Sequence, residues 1–172
     1  QRSKGYLNRR TLTVAEIGEL VTFVKQHAPD AYVVVDNCYG EFVEDREPGA
    51  VGADMVIGSL IKNPGGGMAE TGGYIAGSAR AVELASYRLT SVGCGLEVGA
   101  TIGQTKNMYK GLFYAPHTVS QAIMTAHFGE QETLPRQKMQ KGLKIHRKGL
   151  KIRILSKRSH KKIILDTVFS AK

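Results

Sequence analysis

The sequence predicts an α/β fold on three observations. A capped amphipathic helix lies near the start, a β-branched run ending in an acid follows it, and two further short apolar runs flank a glycine-rich loop. One domain is the default for 172 residues with 42% hydrophobic and 23% charged side chains.

Thr13 followed by Glu16 has the spacing of a capping box, and Ile17, Leu20, Val21 and Val24 repeat at helical intervals. A helix is therefore predicted from about 14 to 27, stopping before Pro29. "AYVVVDN" then reads as a strand buried on both faces, with Asp36 at its carboxyl end. "DMVIGS" and "GGYIAGS" read as second and third strands. "SARAVELASYRL" places Ala81, Leu84, Ala85 and Leu89 at helical spacing behind Ser78 as N-cap. "TVSQAIMTAHF", from Thr118, sets Val119, Ala122, Ile123 and Ala126 on one stripe. Between these two packing helices, "SVGCGLEVGATIGQ" approaches a dinucleotide fingerprint. Its third glycine would fall at Val98, however, and no strand precedes it, so a Rossmann site is rejected.

No apolar run approaches the ~18 residues of a membrane span, and "QRSKGYLNRR" lacks the apolar core of a signal peptide. The missing initial Met leads to the expectation of a fragment. Cys38 and Cys94 stand far apart, without CxxC spacing or a supporting His, so no disulfide framework or zinc site is expected. A reducing cytoplasm fits this usage. The net charge of +9 is concentrated in residues 135–172, which hold 13 Lys and Arg against one acid, Asp166, and leave the first 134 residues at −3. In that tail "IRIL" and "KKIILDTVF" put apolar residues among cations with neither structural period sustained. A nucleic-acid-binding extension is one reading of it. The favoured one is an out-of-frame or disordered segment that contributes no site residue.

The chemistry centres on "GSLIKNPGGGMAETGGYIAG", where Lys62 stands between an apolar run and a chain of glycines. Asp36 ends one predicted strand, Ser59 ends the next, and Lys62 stands three residues beyond Ser59. Ligands of open α/β sheets sit beyond the carboxyl ends of the strands, so these side chains can converge on one crevice. A lysine amine that condenses with an aldehyde, an acid that keeps a pyridine nitrogen protonated and a hydroxyl for a phosphate are what pyridoxal phosphate requires. The glycines leave room for the ring and phosphate.

"VVVDNCYGEFVE", "GADMVIGSLIKNPGGGMAETGGYIAG" and "QRSKGY" together resemble the methionine gamma-lyase-like, or aluminium-resistance, family of pyridoxal-phosphate enzymes, related to the cystathionine beta-lyases. The resemblance covers roughly residues 1 to 130. It implies part of the large cofactor-binding domain of a fold type I (aspartate-aminotransferase-like) enzyme, with residues 1–134 as an incomplete large domain and 135–172 as the basic tail. It further implies Asp36 as partner of the pyridine nitrogen, Ser59 as phosphate contact, and Lys62 as Schiff-base lysine and proton shuttle. Ile61 stands where relatives carry Thr, so one phosphate hydroxyl must come from elsewhere. The upstream glycine turn, the ring-stacking aromatic and the carboxyl-terminal small domain of such enzymes are not found in the sequence.

The expected activity is a carbon–sulfur lyase on a small sulfur amino acid (methionine, cystathionine or cysteine), by α,β- or α,γ-elimination. The complete protein is expected to be a homo-oligomer, with no membrane partner, and the chain alone to be inactive. The alternatives are a basic nucleic-acid-binding module, which is not favoured, and a non-catalytic remnant. Tyr39 is unassigned, Arg2 belongs to the family pattern without a derivable role, and Glu41 and Glu44 read as solvated. His117 and His127 read as surface or satisfied core residues.

Overall fold

The computed structural model describes residues 1–5, 8–89, 92–97, 99, 102–133 and 161–166. Helix α1 spans Val14–His27 as the capping box predicts. Thr13 Oγ1 accepts from the Glu16 amide at 3.2 Å, and the Glu16 carboxylate accepts from the Thr13 amide at 2.8 Å. Ile17 and Val21 of this helix pack with Val35, Ala53 and Val56 to form the main core cluster. Each of the Ile and Val side chains in it, fully buried, stabilises the fold by about 1.5–3 kcal/mol.

The sheet has the order β1 (Val34–Asp36), β2 (Met55–Ser59), β3 (Gly73–Ser78), β4 (Lys161–Asp166). β1 and β2 are parallel, with Asp36 opposite Ile57, whereas β3 runs antiparallel to β2, pairing Tyr74 with Gly58 and Gly73 with Ser59. β1 is shorter than "AYVVVDN" promised and is not buried on both faces. Val35 faces the core at 7% exposure while Val34 is 43% exposed, because the strand lies on the edge of the sheet and α1 covers the face that carries Val35. β4 pairs antiparallel with β3, from Gly73 opposite Asp166 to Ser78 opposite Lys161. These six residues of the basic tail therefore lie in the sheet, which their broken apolar pattern did not announce. Residues 135–160 and 167–172 lie outside the described residues.

Helix α2 spans Ala79–Leu89, and Ser78 caps it through a 3.3 Å bond from the Ala81 amide to Oγ. Helix α3, Thr105–Thr133, begins thirteen residues before the expected Thr118 and continues through Pro116. Its early turns carry Gly111, a poor helix former whose lack of a side chain is used here: a Cβ on it would lie 2.2 Å from the Gly65 carbonyl oxygen. The helix and the glycine loop thus touch backbone to backbone, and Met108 of α3 joins Leu60 and Ala69 in a second core cluster. Among the described residues no helix is long and apolar enough to cross a membrane.

Candidate active site

The parallel pair β1–β2 sets Asp36 and Ser59 at the same, carboxyl end of the sheet. Two residues beyond Leu60, Lys62 opens the 3-10 turn Asn63–Gly65, and its amide donates to the Ser59 carbonyl at 3.3 Å. Cys38 relates the three predicted residues. Its amide donates to Asp36 Oδ1 at 3.1 Å. Burial pushes its thiol up, reinforced by a hydrogen bond to the Asp36 carboxylate and by that charge; Lys62 and a backbone bond with Ser59 pull the other way. Cys38 therefore remains a thiol, while its amide holds the Asp36 carboxylate.

Of the three, Lys62 alone lines the cleft of about 410 Å³ between the loop and α3, with Tyr39, Gly66 and Gly67 on one wall and Val119 and Ile123 on the other. Lys62 Nζ lies over the Tyr39 ring, 4.6 Å from its centroid. Tyr39 and Phe42 both adopt left-handed backbone, φ 68° and 62°, which costs non-glycine residues on the order of 1 kcal/mol or more. The surrounding bonds impose it: the Gly40 amide donates to the Asn37 carbonyl at 2.7 Å, and the Phe42 amide to Glu47 Oε1 at 2.8 Å.

Beneath this loop lies a polar network that the sequence did not reveal. Arg2 is 2% exposed; its Nη1 donates to Asn37 Oδ1 at 3.0 Å and to the Gly40 carbonyl at 2.8 Å, its Nε donates to the Leu12 carbonyl, and its Nη2 pairs with Glu44. Asn37, also buried, donates through Nδ2 to Glu47 Oε2 at 2.8 Å. The expectation of solvated glutamates is wrong for both residues. Glu44 pairs with Arg2 and accepts from the Val14 amide at the start of α1. Glu41 is 4% exposed, its Oε1 accepts from the Tyr74 hydroxyl at 2.9 Å, and its Oε2 is enclosed without a hydrogen-bond partner. The cause is the tight left-handed turn, which folds Glu41 inward over Gly58. "GEFVEDRE" alone has the composition of a solvated loop, and the only signals in the chain are the nearby Gly40 and Gly58. His117 is exposed as expected, whereas His127 is half-buried with Nε2 enclosed and unpartnered, and so is not satisfied.

Burial pushes the Glu41 carboxyl up to about 7 against bonds from its own backbone and from Tyr74. Burial likewise raises Glu47. In the unfolded chain Glu41 titrates near 4.5, so the folded state holds the proton more tightly between these values. The cost of burying the ion is absent below 4.5, grows as pH rises, and is complete above about 7, at about 3 kcal/mol. Urea unfolding should accordingly show lower stability at pH 8 than at pH 5.5, with Glu47 acting in the same direction. Glu41→Gln should flatten most of that slope, and an unchanged slope would remove Glu41 as its source.

A family model described as methionine gamma-lyase matches residues 1–148. The chain belongs to the methionine gamma-lyase family. The match runs beyond residue 134, where the sequence reading drew its boundary. The chain is 55% identical over 135 residues to the uncharacterized protein YnbB of Bacillus subtilis, covering 76% of this chain and 32% of YnbB. It is 53% identical to a Listeria monocytogenes structure named, provisionally, a cystathionine beta-lyase involved in aluminium resistance, with a TM-score of 0.68 over 75% of this chain and 34% of that one. A carbon–sulfur lyase involved in aluminium resistance from Clostridium novyi is 52% identical, with a TM-score of 0.63 over 66% and 27% of the two chains. The chain thus spans about a third of the length of these relatives, and its α/β fold is that of part of their structure.

Proposed function

We propose that the full-length protein is a pyridoxal-phosphate-dependent carbon–sulfur lyase of sulfur amino acids, and that this chain carries the cofactor-anchoring part of its site. One observation supports it most: in a chain of this family, Lys62 lines an open cleft with no ion-pair partner among the described residues, beside an acid held at the end of the adjoining parallel strand. The chemistry of these residues suits the cofactor, with Lys62 alone of the three lining the cleft and Asp36 and Ser59 at the same end of the sheet. Lys62 Nζ would hold its aldehyde carbon, Asp36 its ring nitrogen and Ser59 its phosphate, with Gly66 and Gly67 presenting only backbone to the cleft. When bound, the group withdraws electrons from the substrate Cα and so weakens the bonds around it.

The chain's own residues have three tasks in this reading. The Asp36 carboxylate, kept in place by the Cys38 amide, supplies the negative charge that keeps a ring nitrogen protonated. Lys62 Nζ takes up and returns the substrate Cα proton. Tyr39, stacked under Nζ, shields one side of the amine from water. Residues 135–172 supply none of these groups. The complete protein is read as a homo-oligomer, supported by Tyr109, Phe113 and Phe128, which leave α3 with exposed aromatic surface. The chain by itself is expected to hold the cofactor without turnover.

Asp36→Asn at the aligned position of a full-length family member is the test. Elimination should fall by about 100-fold or more while the visible absorbance of bound cofactor persists, because only the charge opposite the ring nitrogen is lost. Turnover within twofold of the native enzyme would take Asp36 out of the site.

A further inference from the structure

Lys62 stands in a turn that is gripped from two sides, and the proposed chemistry gives neither grip a task. On one side the turn meets α3 through glycines. A Cβ on Gly111 would lie 2.2 Å from the Gly65 carbonyl oxygen, and one on Gly66 would lie 2.4 Å from the Gly111 carbonyl oxygen and 3.1 Å from the Ala115 amide nitrogen. Helix and turn therefore approach closer than any side chain there permits, beside the cluster of Leu60, Ala69 and Met108. On the other side Asn63 Nδ2 donates to the Glu41 carbonyl at 3.0 Å, which ties the residue after Lys62 to the loop that carries Tyr39. Between the grips the backbone is bonded back on itself: the Gly65 amide donates to the Lys62 carbonyl and the Gly66 amide to the Asn63 carbonyl, each at 3.1 Å.

We propose that Gly111 and Asn63 are positioning residues for Lys62: they clamp its turn between α3 and the Glu41 carbonyl, and the clamp holds Nζ in the cleft. This rests on the reading of Lys62 as the residue that joins the cofactor aldehyde. The linkage is direct, since Gly111 abuts Gly65 and Gly65 is bonded to Lys62 itself. The lysine stem is long and flexible and forms no ion pair among the described residues. The backbone of the turn, with the Tyr39 ring 4.6 Å from Nζ, is therefore what fixes where the amine stands. An alanine at 111 would drive helix and turn apart by about 1 Å, a misplacement that costs an aligned reacting group up to ~100-fold. The same change favours α3 as a helix, a gain that Gly129→Ala shares although a Cβ on Gly129 meets nothing within 4 Å.

The test uses the whole chain in its native, Gly111→Ala, Asn63→Ala and Gly129→Ala forms, each compared by circular dichroism. Each is exposed briefly to pyridoxal phosphate, reduced with sodium borohydride and mapped by mass spectrometry, with exposed Lys106 as internal reference. The ratio of Lys62 to Lys106 labelling should fall by about tenfold or more in Gly111→Ala and about threefold or more in Asn63→Ala, and stay within about twofold of native in Gly129→Ala. Hydrogen exchange reads the clamp without cofactor: the Gly65 and Gly66 amides should exchange about tenfold faster in the first two variants, while those of α1 keep their native rates. If Gly111→Ala loses the native dichroism, Asn63→Ala, which removes one donor and adds no atom, decides by itself. With Lys62 enriched in the native chain, exchange or a labelling ratio unchanged in Asn63→Ala, or equal losses in Gly129→Ala, overturns the proposal. Faster exchange in the variants with no Lys62 enrichment in the native chain defeats the lyase reading alone.

Discussion

Replacing Arg2 with methionine is expected to cost about 3–5 kcal/mol, enough to unfold much of the chain at room temperature. The side chain is buried and is the donor shared by Asn37, Gly40, Leu12 and Glu44. Methionine fills much of its volume but donates nothing. Two carbonyls and the Asn37 amide oxygen then lose a partner, and Glu44 keeps a negative charge without its counterion. Because Asn37 adjoins Asp36, and Gly40 follows the left-handed Tyr39, the damage reaches the cleft as well as the core. Urea denaturation followed by circular dichroism measures it. A loss below 1 kcal/mol would show that the network is not what holds the loop.

The second large effect concerns Lys62. In a full-length family member, alanine at the aligned position should lower elimination by about 1,000-fold or more, since one change removes both the anchoring amine and the group that moves the Cα proton. Stability should barely change. Lys62 forms no ion pair among the described residues, and its amide bond to Ser59 does not depend on its side chain. Activity within tenfold of native would place the chemistry on another residue.

Much of this arrangement was legible in the residues. The capping box of Thr13 and Glu16 set α1, and the acid-terminated "VVVD" placed Asp36 at a strand end, because both signals are local in sequence. The likeness of "GSLIKNPGGG" to a known family marked Lys62 and Ser59 as candidates, and the turn that carries them is likewise local in sequence. Arg2, Asn37, Glu41 and Glu47 were not legible as a unit. Their partners are up to 42 residues apart, and a buried carboxylate has the same letters as a solvated one. Only the turn through Tyr39 and Phe42, left-handed at two residues that rarely adopt it, sends those side chains inward. The early turns of α3 were hidden for the opposite reason. Gly111 and Pro116 are helix breakers by propensity, and contact with the Gly65–Gly66 backbone outweighs that preference. In β4 the pairing with β3 extends a short strand whose own sequence shows no alternation.

The central claim is that Lys62 is the residue that joins the cofactor, and one measurement addresses it most directly. The chain is mixed with pyridoxal phosphate, reduced with sodium borohydride, digested, and mapped by mass spectrometry. A stoichiometric phosphopyridoxyl group on Lys62, accompanied by at most trace labelling of the other lysines, is the predicted result. Labelling spread over the exposed lysines with none enriched at Lys62 would contradict it.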